Sequence, residues 1–204
     1  MQMLILTLLW LVYFLLHSAL ASLACKQWLA GICPACMPWY RLVYNLLALV
    51  GLFPPLYFMW RWRGELIIDY SGIFFWLANG IALFAIAGFF KTLDYYDLAE
   101  FSGKRQLREQ SDGNLDREKF HLSPLHRYVR HPWYFLGLLI LWTRDMDKMQ
   151  LLSSLLITLY LVVGSILEER KLVRYHGEIY RRYQQRVAGL FPLPWKFLKS
   201  GEDL

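Results

Sequence analysis

The chain has 204 residues, of which 57% are hydrophobic and 17% aromatic, and its formal net charge is +6. This composition is too apolar for an ordinary soluble domain, and the charges lie in blocks between long apolar runs, as in multi-pass membrane proteins. Because the basic residues flank these runs and form no recognisable binding module, the net charge indicates a membrane surface and argues against a nucleic-acid partner.

Five apolar segments predict an all-α fold, a polytopic membrane helix bundle of about five transmembrane helices. Two prolines, Pro54 and Pro55, should kink or break the second segment in its last third. The uncharged part of the fourth segment covers only about 15 Å, which is half of a bilayer core. The five segments are residues 3–24, 39–60, 71–90, 133–142 and 149–167.

Three polar residues interrupt the first three spans. His17 lies in the first span, and an ionisable side chain within a span is a functional candidate by default. The other explanation for His17 is a hydrogen bond to a neighbouring helix. Asn45 and Asn79 are most simply interhelical hydrogen-bonding residues. His17 and Asn45 are the weak candidates for catalytic residues, and the catalytic base stays unknown.

Three cysteines, Cys25, Cys33 and Cys36, lie in one loop after the first span. The spacing of Cys33 and Cys36 is compatible with zinc or redox chemistry. A structural zinc needs four ligands, and only Cys25 is a further nearby thiol, so we expect no metal site. The topology inferred below places this loop in the cytoplasm, where thiols usually stay reduced.

A long polar segment, residues 91–130, separates the third span from the fourth. Residues 111–114 indicate a turn at its tip, and a connection of this length is often a lid or a binding loop. We divide the chain into an N-terminal three-span region, residues 1–92, and a second region, residues 93–204, within one compact domain.

The polar segment ends at His131, and Pro132 then predicts the first residue of the short fourth helix. Two antiparallel helices joined by a short turn bring their outer ends together, so His131 should meet Glu168 and Glu169. The other polar side chains expected at this end are His126, Arg130, Tyr134 and Tyr180. The first N–H groups of the fourth helix and its dipole favour an anionic group here.

The tail, from residue 170 onward, is basic. Its apolar residues recur every three or four positions and predict an amphipathic helix at the membrane interface or over the site, with a possible break at Gly177. This stripe consists of Leu172, Tyr175, Ile179, Tyr183 and Val187. The bias of lysine and arginine places residues 91–130 and the tail in the cytoplasm and the N-terminus outside, although Arg61 and Arg63 would then also lie outside.

Two interpretations of the polar cluster stay open on physical grounds alone. A zwitterionic ligand fits, because its carboxylate could meet the helix start and its ammonium or ribose diol could meet the glutamates. A structural salt-bridge cluster at the base of a helical hairpin fits equally well. No glycine-rich phosphate loop, zinc-binding helix motif or nucleophile elbow is present in the sequence.

The motif over residues 125–137, the apolar hairpin, and the motifs at residues 167–171 and 176–187 together resemble the isoprenylcysteine carboxyl methyltransferase and phospholipid methyltransferase superfamily. The resemblance implies an S-adenosylmethionine-dependent methyltransferase with its site at the cytoplasmic face of a bacterial inner membrane. It implies cofactor contacts from two segments of the chain. These contacts are His126, Arg130, His131, Pro132, Trp133, Tyr134, Gly137, Glu168 and Glu169. His126 stands where that superfamily often has a tyrosine. Glu169 and Gly137 match the pattern of the superfamily, and the alternative for these two residues is a role in packing or in supporting the residues that contact the cofactor.

Residues 14–22 and 40–45 resemble the small-thiol branch, which comprises methanethiol S-methyltransferases and NnrU-type membrane proteins. Carboxyl methyltransferases of the superfamily carry an arginine about one turn before the glutamate pair, whereas residues 163–167 contain no cation. The resemblance therefore implies a small or lipophilic acceptor, most simply a thiol, that reaches the enzyme from the bilayer. The alternatives are a non-catalytic membrane sensor or assembly protein, and a lipid or isoprenylcysteine carboxyl methyltransferase.

Overall fold

The computed structural model describes residues 1–109 and 123–199, and most of these residues are helical. The described helices are α1 (Gln2–Ala21), α2 (Leu23–Ile32), α3 (Met37–Gly51), α4 (Phe53–Arg61), α5 (Gly72–Leu93), α6 (Leu98–Ser102), α7 (Lys104–Glu109), α8 (Pro132–Trp142), α9 (Lys148–His176) and α10 (Glu178–Arg186). Two short strands, β1 (Leu66–Ile68) and β2 (Met146–Asp147), form a two-stranded sheet. The predicted all-α class is therefore confirmed.

Four helical stretches are long and apolar enough to cross a membrane, and α8 is a shorter apolar helix beside them. The long stretches are Gln2–Ala21, Pro34–Arg61, Gly72–Leu93 and Lys148–His176. This arrangement confirms a multi-pass membrane protein and the predicted short fourth segment. The second stretch changes from α3 to α4 at Leu52, and Pro54 and Pro55 lie in the first turn of α4, so the break predicted from these prolines is also confirmed.

The described residues divide into two compact units that alternate along the chain. Unit 1 contains residues 1–65, 96–109 and 147–153, and unit 2 contains residues 66–95, 123–146 and 154–199. In unit 1, Trp10 of α1 is almost completely buried and its indole N–H donates to Ser153 Oγ at 2.9 Å. The region boundary predicted between residues 92 and 93 stays a prediction.

The expected cysteine loop is largely helical, which corrects the sequence interpretation. Ser22 caps α2 by accepting a hydrogen bond from the backbone N–H of Cys25, so Cys25 lies within a helix. Cys33 ends α2, and a 3₁₀ turn, Pro34–Cys36, leads directly into α3. Cys33 and Cys36 form a disulfide, in contrast to the reduced thiols that we expected. Their Cα atoms lie 5.4 Å apart, within the range that disulfides require.

In unit 2, α5 and α8 pack in a clear antiparallel register. At one end, the indole N–H of Trp133 donates to Thr92 Oγ1 at 2.9 Å. Near the middle, a side chain at Gly88 would meet Leu136 at 3.3 Å. At the other end, Arg144 Nη2 donates to Asn79 Oδ1 at 3.0 Å.

These contacts show that α8 covers only part of the length of α5. Helices of 11 and 22 residues are about 16 and 33 Å long. Asn79 lies about 10 Å from the start of α5 at Gly72. The residues after α8 continue toward that end of α5, because the backbone N–H of Tyr70 donates to Asp145 Oδ1 at 2.9 Å and β1 pairs with β2.

The end of α9 also differs from the prediction. The helix continues to His176, nine residues beyond the predicted end at residue 167, and Gly177 with φ of +58° separates it from α10. Tyr180, Tyr183, Val187 and Leu198 form a buried apolar cluster, with Leu172 and Val173 against it. Tyr183 and Val187 of the predicted stripe are buried, whereas Tyr175 and Ile179 are exposed and Tyr180 lies in the buried cluster instead.

The structure describes residues 91–109 and 123–130 of the long polar segment. They form α6, α7 and a 3₁₀ turn, Pro124–Arg127. The turn predicted at residues 111–114 lies outside the described residues.

Candidate functional site

His131 stands at the point where the polar segment ends and α8 begins. It directly precedes the helix, and Pro132 occupies the first helical position, as predicted. Only 6% of the surface of His131 is exposed. Because the amide dipoles of a helix add along its axis, the positive end of α8 lies beside this residue.

The hairpin of α8 and α9 brings His131 to the glutamate pair, and this prediction is confirmed. His131 Nε2 lies 3.1 Å from Glu169 Oε1, and Nδ1 lies 3.4 Å from Glu168 Oε2. Both ring nitrogens thus face a carboxylate oxygen, and both can donate only when the imidazole is protonated. Burial opposes that charge, but the hydrogen bonds and charges of Glu168 and Glu169 outweigh it and raise the pKa of His131 above 6.5.

Glu169 is the anchored member of the pair. Arg130 Nε and Nη2 donate to its two carboxylate oxygens at 2.8 and 3.0 Å, which is a bidentate ion pair. Gln184 Nε2 donates to Oε2 at 2.9 Å. The side chains of Arg130 and Glu169 are only 13% and 16% exposed. Glu169 is therefore occupied by protein donors.

Arg130 extends this anchor to the segment after α10. Its Nη1 donates to the carbonyl of Gln184 at 3.0 Å and to that of Val187. Its backbone N–H donates to the carbonyls of Ala188 and Gly189. We call Arg130 and Glu169 the clamp, because together they tie the start of α8, the part of α9 that contains Glu169, and the end of α10 to one another.

Glu168 is the open member of the pair. Its side chain is 45% exposed, and the hydroxyl of Tyr134 donates to Oε2 at 3.1 Å. The ring of Tyr134 stacks on that of His131, with centroids 5.3 Å apart and planes inclined by 11°. We call Glu168 and Tyr134 the open edge. The open edge consists of a partly exposed carboxylate and a hydroxyl, and His131 contacts both side chains.

His126 lies near the same cluster but in the opposite protonation state. The backbone N–H of Ser123 donates to its Nδ1 at 3.1 Å, so this nitrogen must accept and the ring must be neutral. Burial, followed by the positive charge of His131, lowers the pKa of His126 from 6.5 to about 4. Its carbonyl accepts a hydrogen bond of 2.6 Å from the Tyr183 hydroxyl. His126 thus has clear structural contacts in addition to its proximity to the cluster.

Three further predicted contacts lie on α8. Pro132 is buried, and Trp133 bonds to Thr92 and packs on Phe89 with ring centroids 5.1 Å apart, so both help to hold α8 in place. Gly137 is exposed, and a Cβ added there would meet nothing within 4 Å. Because it follows Tyr134 by three residues, it lies on the same helical face and leaves space beside the open edge.

The sequence interpretation included Tyr180 but missed two contributors. Tyr180 is 1% exposed, and burial, followed by the charge of Glu169, raises its pKa. Gln184 completes the donors of Glu169, and Thr92 positions Trp133. A glutamine in a basic helix and a threonine at the end of a span carry no sequence signal of such roles.

The two weak catalytic candidates belong to unit 1 and not to this cluster. His17 Nε2 and the hydroxyl of Tyr44 on α3 are 2.9 Å apart, which is the interhelical hydrogen bond considered above. Asn45 Nδ2 donates to the carbonyl of Phe101 at 2.9 Å. These contacts give His17 and Asn45 a structural role within their own unit.

The fold and the cluster define a multi-pass helical membrane protein with a paired-carboxylate site at the base of a helical hairpin. The family described as "Protein of unknown function (DUF1295)" matches residues 69–187, which is more than half of the chain. This range contains all nine predicted cofactor contacts. The chain belongs to this family. No solved structure matches it.

Curated relatives cover most of the chain. It is 31% identical to methanethiol S-methyltransferase of Pseudomonas deceptionensis, over 86% of this chain and 67% of that protein. It is 33% identical to methanethiol S-methyltransferase 2 of Bradyrhizobium diazoefficiens, over 86% and 68% of the two chains. It is 30% identical to methanethiol S-methyltransferase of Mycobacterium tuberculosis, over 90% and 75%. The resemblance to the small-thiol branch is confirmed.

Proposed function

We propose that this protein is an integral-membrane, S-adenosylmethionine-dependent methyltransferase with a small thiol as its acceptor. The observation that carries the proposal is the unequal pair Glu168 and Glu169 on α9, beside the start of α8. The side chain of Glu169 is 16% exposed and receives two hydrogen bonds from Arg130, whereas that of Glu168 is 45% exposed. The pair lies within residues 69–187, which match the family, and the alignments with relatives named methanethiol S-methyltransferase cover 86% of the chain.

The residues present fit S-adenosylmethionine by their chemistry. Arg130 offsets the charge of Glu169, so the exposed negative charge is that of Glu168, which suits an ammonium group or a ribose diol. The positive end of α8 lies beside it and suits a carboxylate. A zwitterionic ligand needs both signs within one small area, and this cluster supplies them.

Bound S-adenosylmethionine would supply the methyl group of its sulfonium to a thiolate, with S-adenosylhomocysteine as the leaving group. The open edge would hold the ligand through Glu168 and Tyr134, and His131 would keep both side chains in position. Gly137 would leave room beside Tyr134. Correct alignment lowers the barrier of such a transfer more than any single charged group does. The clamp would fix the start of α8 against α9 and thereby maintain that alignment.

The acceptor class is taken from the relatives and from the lack of a cation in residues 163–167, where a carboxylate substrate would need one. A thiol must lose its proton before transfer, and nearby positive charge favours the thiolate. Entry of a small lipophilic thiol from the bilayer agrees with the membrane location of the enzyme.

The decisive experiment uses the full chain purified in detergent and two measurements. Calorimetric titration should show binding of S-adenosylmethionine and of S-adenosylhomocysteine. Incubation with methanethiol and S-adenosylmethionine labelled on the methyl group should release label as volatile dimethyl sulfide. A folded protein that binds neither nucleoside contradicts the proposal, and label recovered only in lipid or protein fractions contradicts the thiol acceptor.

We further propose that the cluster faces the cytoplasm of a bacterial inner membrane. The support is the basic character of α7, α10 and the tail, since cytoplasmic loops carry an excess of lysine and arginine. Paired reporters fused to the N-terminus test this orientation. If a reporter that works only in the cytoplasm is active when it is fused to the N-terminus of the protein, the proposed orientation is contradicted.

A further inference from the structure

The cysteine segment of unit 1 takes no part in the proposed methyl transfer. Cys33 and Cys36 form a disulfide, and Cys25 is a separate free thiol. We propose that Cys33 and Cys36 are a redox-active pair that exchanges with low-molecular-weight thiols. The inference goes beyond the proposed function and does not depend on it.

The two sulfur atoms of the pair have different surroundings. Cys36 is exposed, whereas Cys33 is partly buried. Cys33 directly precedes the 3₁₀ turn Pro34–Cys36, which continues into the 15 residues of α3.

This asymmetry determines the direction of exchange. Because Cys36 is the more exposed residue of the pair, we assign the attack of an incoming thiolate to Cys36 Sγ. The bond that breaks is Cys33–Cys36, and the leaving group is the Cys33 thiolate.

The complete reaction is a two-electron exchange in two steps. First, one thiolate attacks Cys36 Sγ, which forms a mixed disulfide at Cys36 and releases the Cys33 thiolate. Second, another thiolate attacks the external sulfur of that mixed disulfide, which releases the Cys36 thiolate and an external disulfide. The pair is reduced, two small thiols are oxidised to one disulfide, and the two protons of those thiols pass to solvent or to the new protein thiols.

The third cysteine provides a matched internal control. Cys25 lies within α2, and its Sγ is 3.6 Å from the hydroxyl of Tyr40, which also contacts the carbonyl of Leu20. Tyr40 follows Cys36 by four residues and therefore lies on the same face of the helix. Cys25 belongs to the same segment but takes no part in the disulfide, so its thiol should be unchanged by redox buffers that convert the pair.

The test uses the full chain in detergent, equilibrated with mixtures of reduced and oxidised glutathione and then quenched with a maleimide that adds mass. We expect one labelled thiol in oxidised buffer, three in reduced buffer and a reversible transition between them. In a Cys33→Ser variant exposed to oxidised glutathione, Cys36 should gain one glutathione, and Cys25→Ser should retain the reversible change of two thiols.

Three outcomes overturn the inference. The first is a pair that stays oxidised in excess reduced glutathione while the protein is folded, which makes it a structural disulfide. The second is a reduced pair that does not reoxidise. The third is glutathione on Cys25 instead of Cys36 in Cys33→Ser. Retained binding of S-adenosylmethionine by each cysteine variant reports that the variant is folded. If the wild-type protein does not bind S-adenosylmethionine, the thermal midpoint of each variant reports folding instead, so the test of the cysteine pair is independent of the proposed function.

Discussion

The clamp and the open edge contain adjacent carboxylates in very different surroundings. Glu169 receives donors from Arg130, His131 and Gln184 and is 16% exposed. Glu168 is 45% exposed and is held by Tyr134 and His131. The difference teaches that a paired-glutamate motif need not supply two equivalent ligands. In this protein one glutamate holds the helices together, and we propose that the other binds the ligand.

The largest expected effect is on stability, from Glu169→Ala. The substitution leaves the mostly buried guanidinium of Arg130 without its carboxylate, which should cost about 3 kcal/mol. In a chain of this size such a loss lowers the thermal midpoint by roughly 6–12 °C, measured in detergent. The matched control is Glu178→Gln, which breaks an exposed contact of 3.9 Å with Arg181 and should change stability by less than about 0.5 kcal/mol. Equal midpoints for the two variants would remove the distinction between clamp and surface.

Glu168→Gln should weaken binding of S-adenosylmethionine and leave the fold intact. Loss of a hydrogen bond to a charged group costs about 1.5–3 kcal/mol, which corresponds to a roughly 10- to 150-fold higher Kd. Because the carboxylate is exposed, the thermal midpoint of the ligand-free protein should stay within about 2 °C of wild type. Calorimetry measures the affinity, with Glu178→Gln again as control. Wild-type affinity in the folded Glu168→Gln variant contradicts the assignment of the open edge.

The pKa shifts of His131 and His126 predict that the stability of the folded protein passes through a maximum as the pH is varied. The pKa of His131 is raised by the carboxylates against the effect of burial, so its contribution is complete below about pH 6.5 and is lost as the pH rises through the higher folded value. The pKa of His126 is lowered to about 4, so stability is lost as the pH falls from 6.5 toward 4. Thermal midpoints between pH 4 and 9 should therefore be highest near about pH 6.5.

Single variants separate the two limbs of that profile. His131→Asn should flatten the alkaline limb, and His126→Asn should flatten the acidic limb, each by about 2–4 °C for a change of about 1 kcal/mol. Parallel profiles for wild type and His131→Asn above pH 7 would show that this ring is not charged in the folded protein.

Tyr134→Phe should have the smallest effect. It removes one hydroxyl donor to Glu168 and keeps the ring stacked on His131. A net contribution of about 0.5–1.5 kcal/mol predicts a roughly 2- to 12-fold higher Kd for S-adenosylmethionine and an unchanged midpoint. Tyr134→Ala also removes the stacked ring and should be the weaker binder of the two, and the reverse order would contradict the stacking argument.

Much of the fold was predictable because local patterns determine it. The apolar segments, the break near Pro54 and the helix start at Pro132 each depend on a few neighbouring residues. The meeting of His131 with Glu168 and Glu169 was also predictable, since a short turn between antiparallel helices leaves little choice. The helical cysteine segment was not predicted, because the Ser22 cap was not recognised and the cysteines indicated a loop.

A packing role for Glu169 was one of the alternatives in the sequence, but the contacts that make the two glutamates unequal could not be predicted. They join residues far apart in the chain, such as Arg130 with the carbonyls of Gln184 and Val187. Sequence spacing does not determine which of two adjacent carboxylates an arginine will reach. The predicted stripe was right at Tyr183 and Val187 and wrong at Ile179, because Tyr180 lies in the buried cluster in its place.

The short helix α8 has a consequence for the lipid around unit 2. The guanidinium of Arg144 meets Asn79 about 10 Å inside the start of α5, and its Nε is buried without a hydrogen-bond partner among the described residues. Residues 143–147 continue from there toward the start of α5, where the backbone N–H of Tyr70 donates to Asp145 Oδ1 and its hydroxyl donates to the carbonyl of Trp142, each at 2.9 Å. Non-helical backbone within the apolar layer of a membrane is tolerated only where protein or water satisfies its polar groups. The contacts with Asn79 and Tyr70 therefore keep the stretch after α8 apart from lipid.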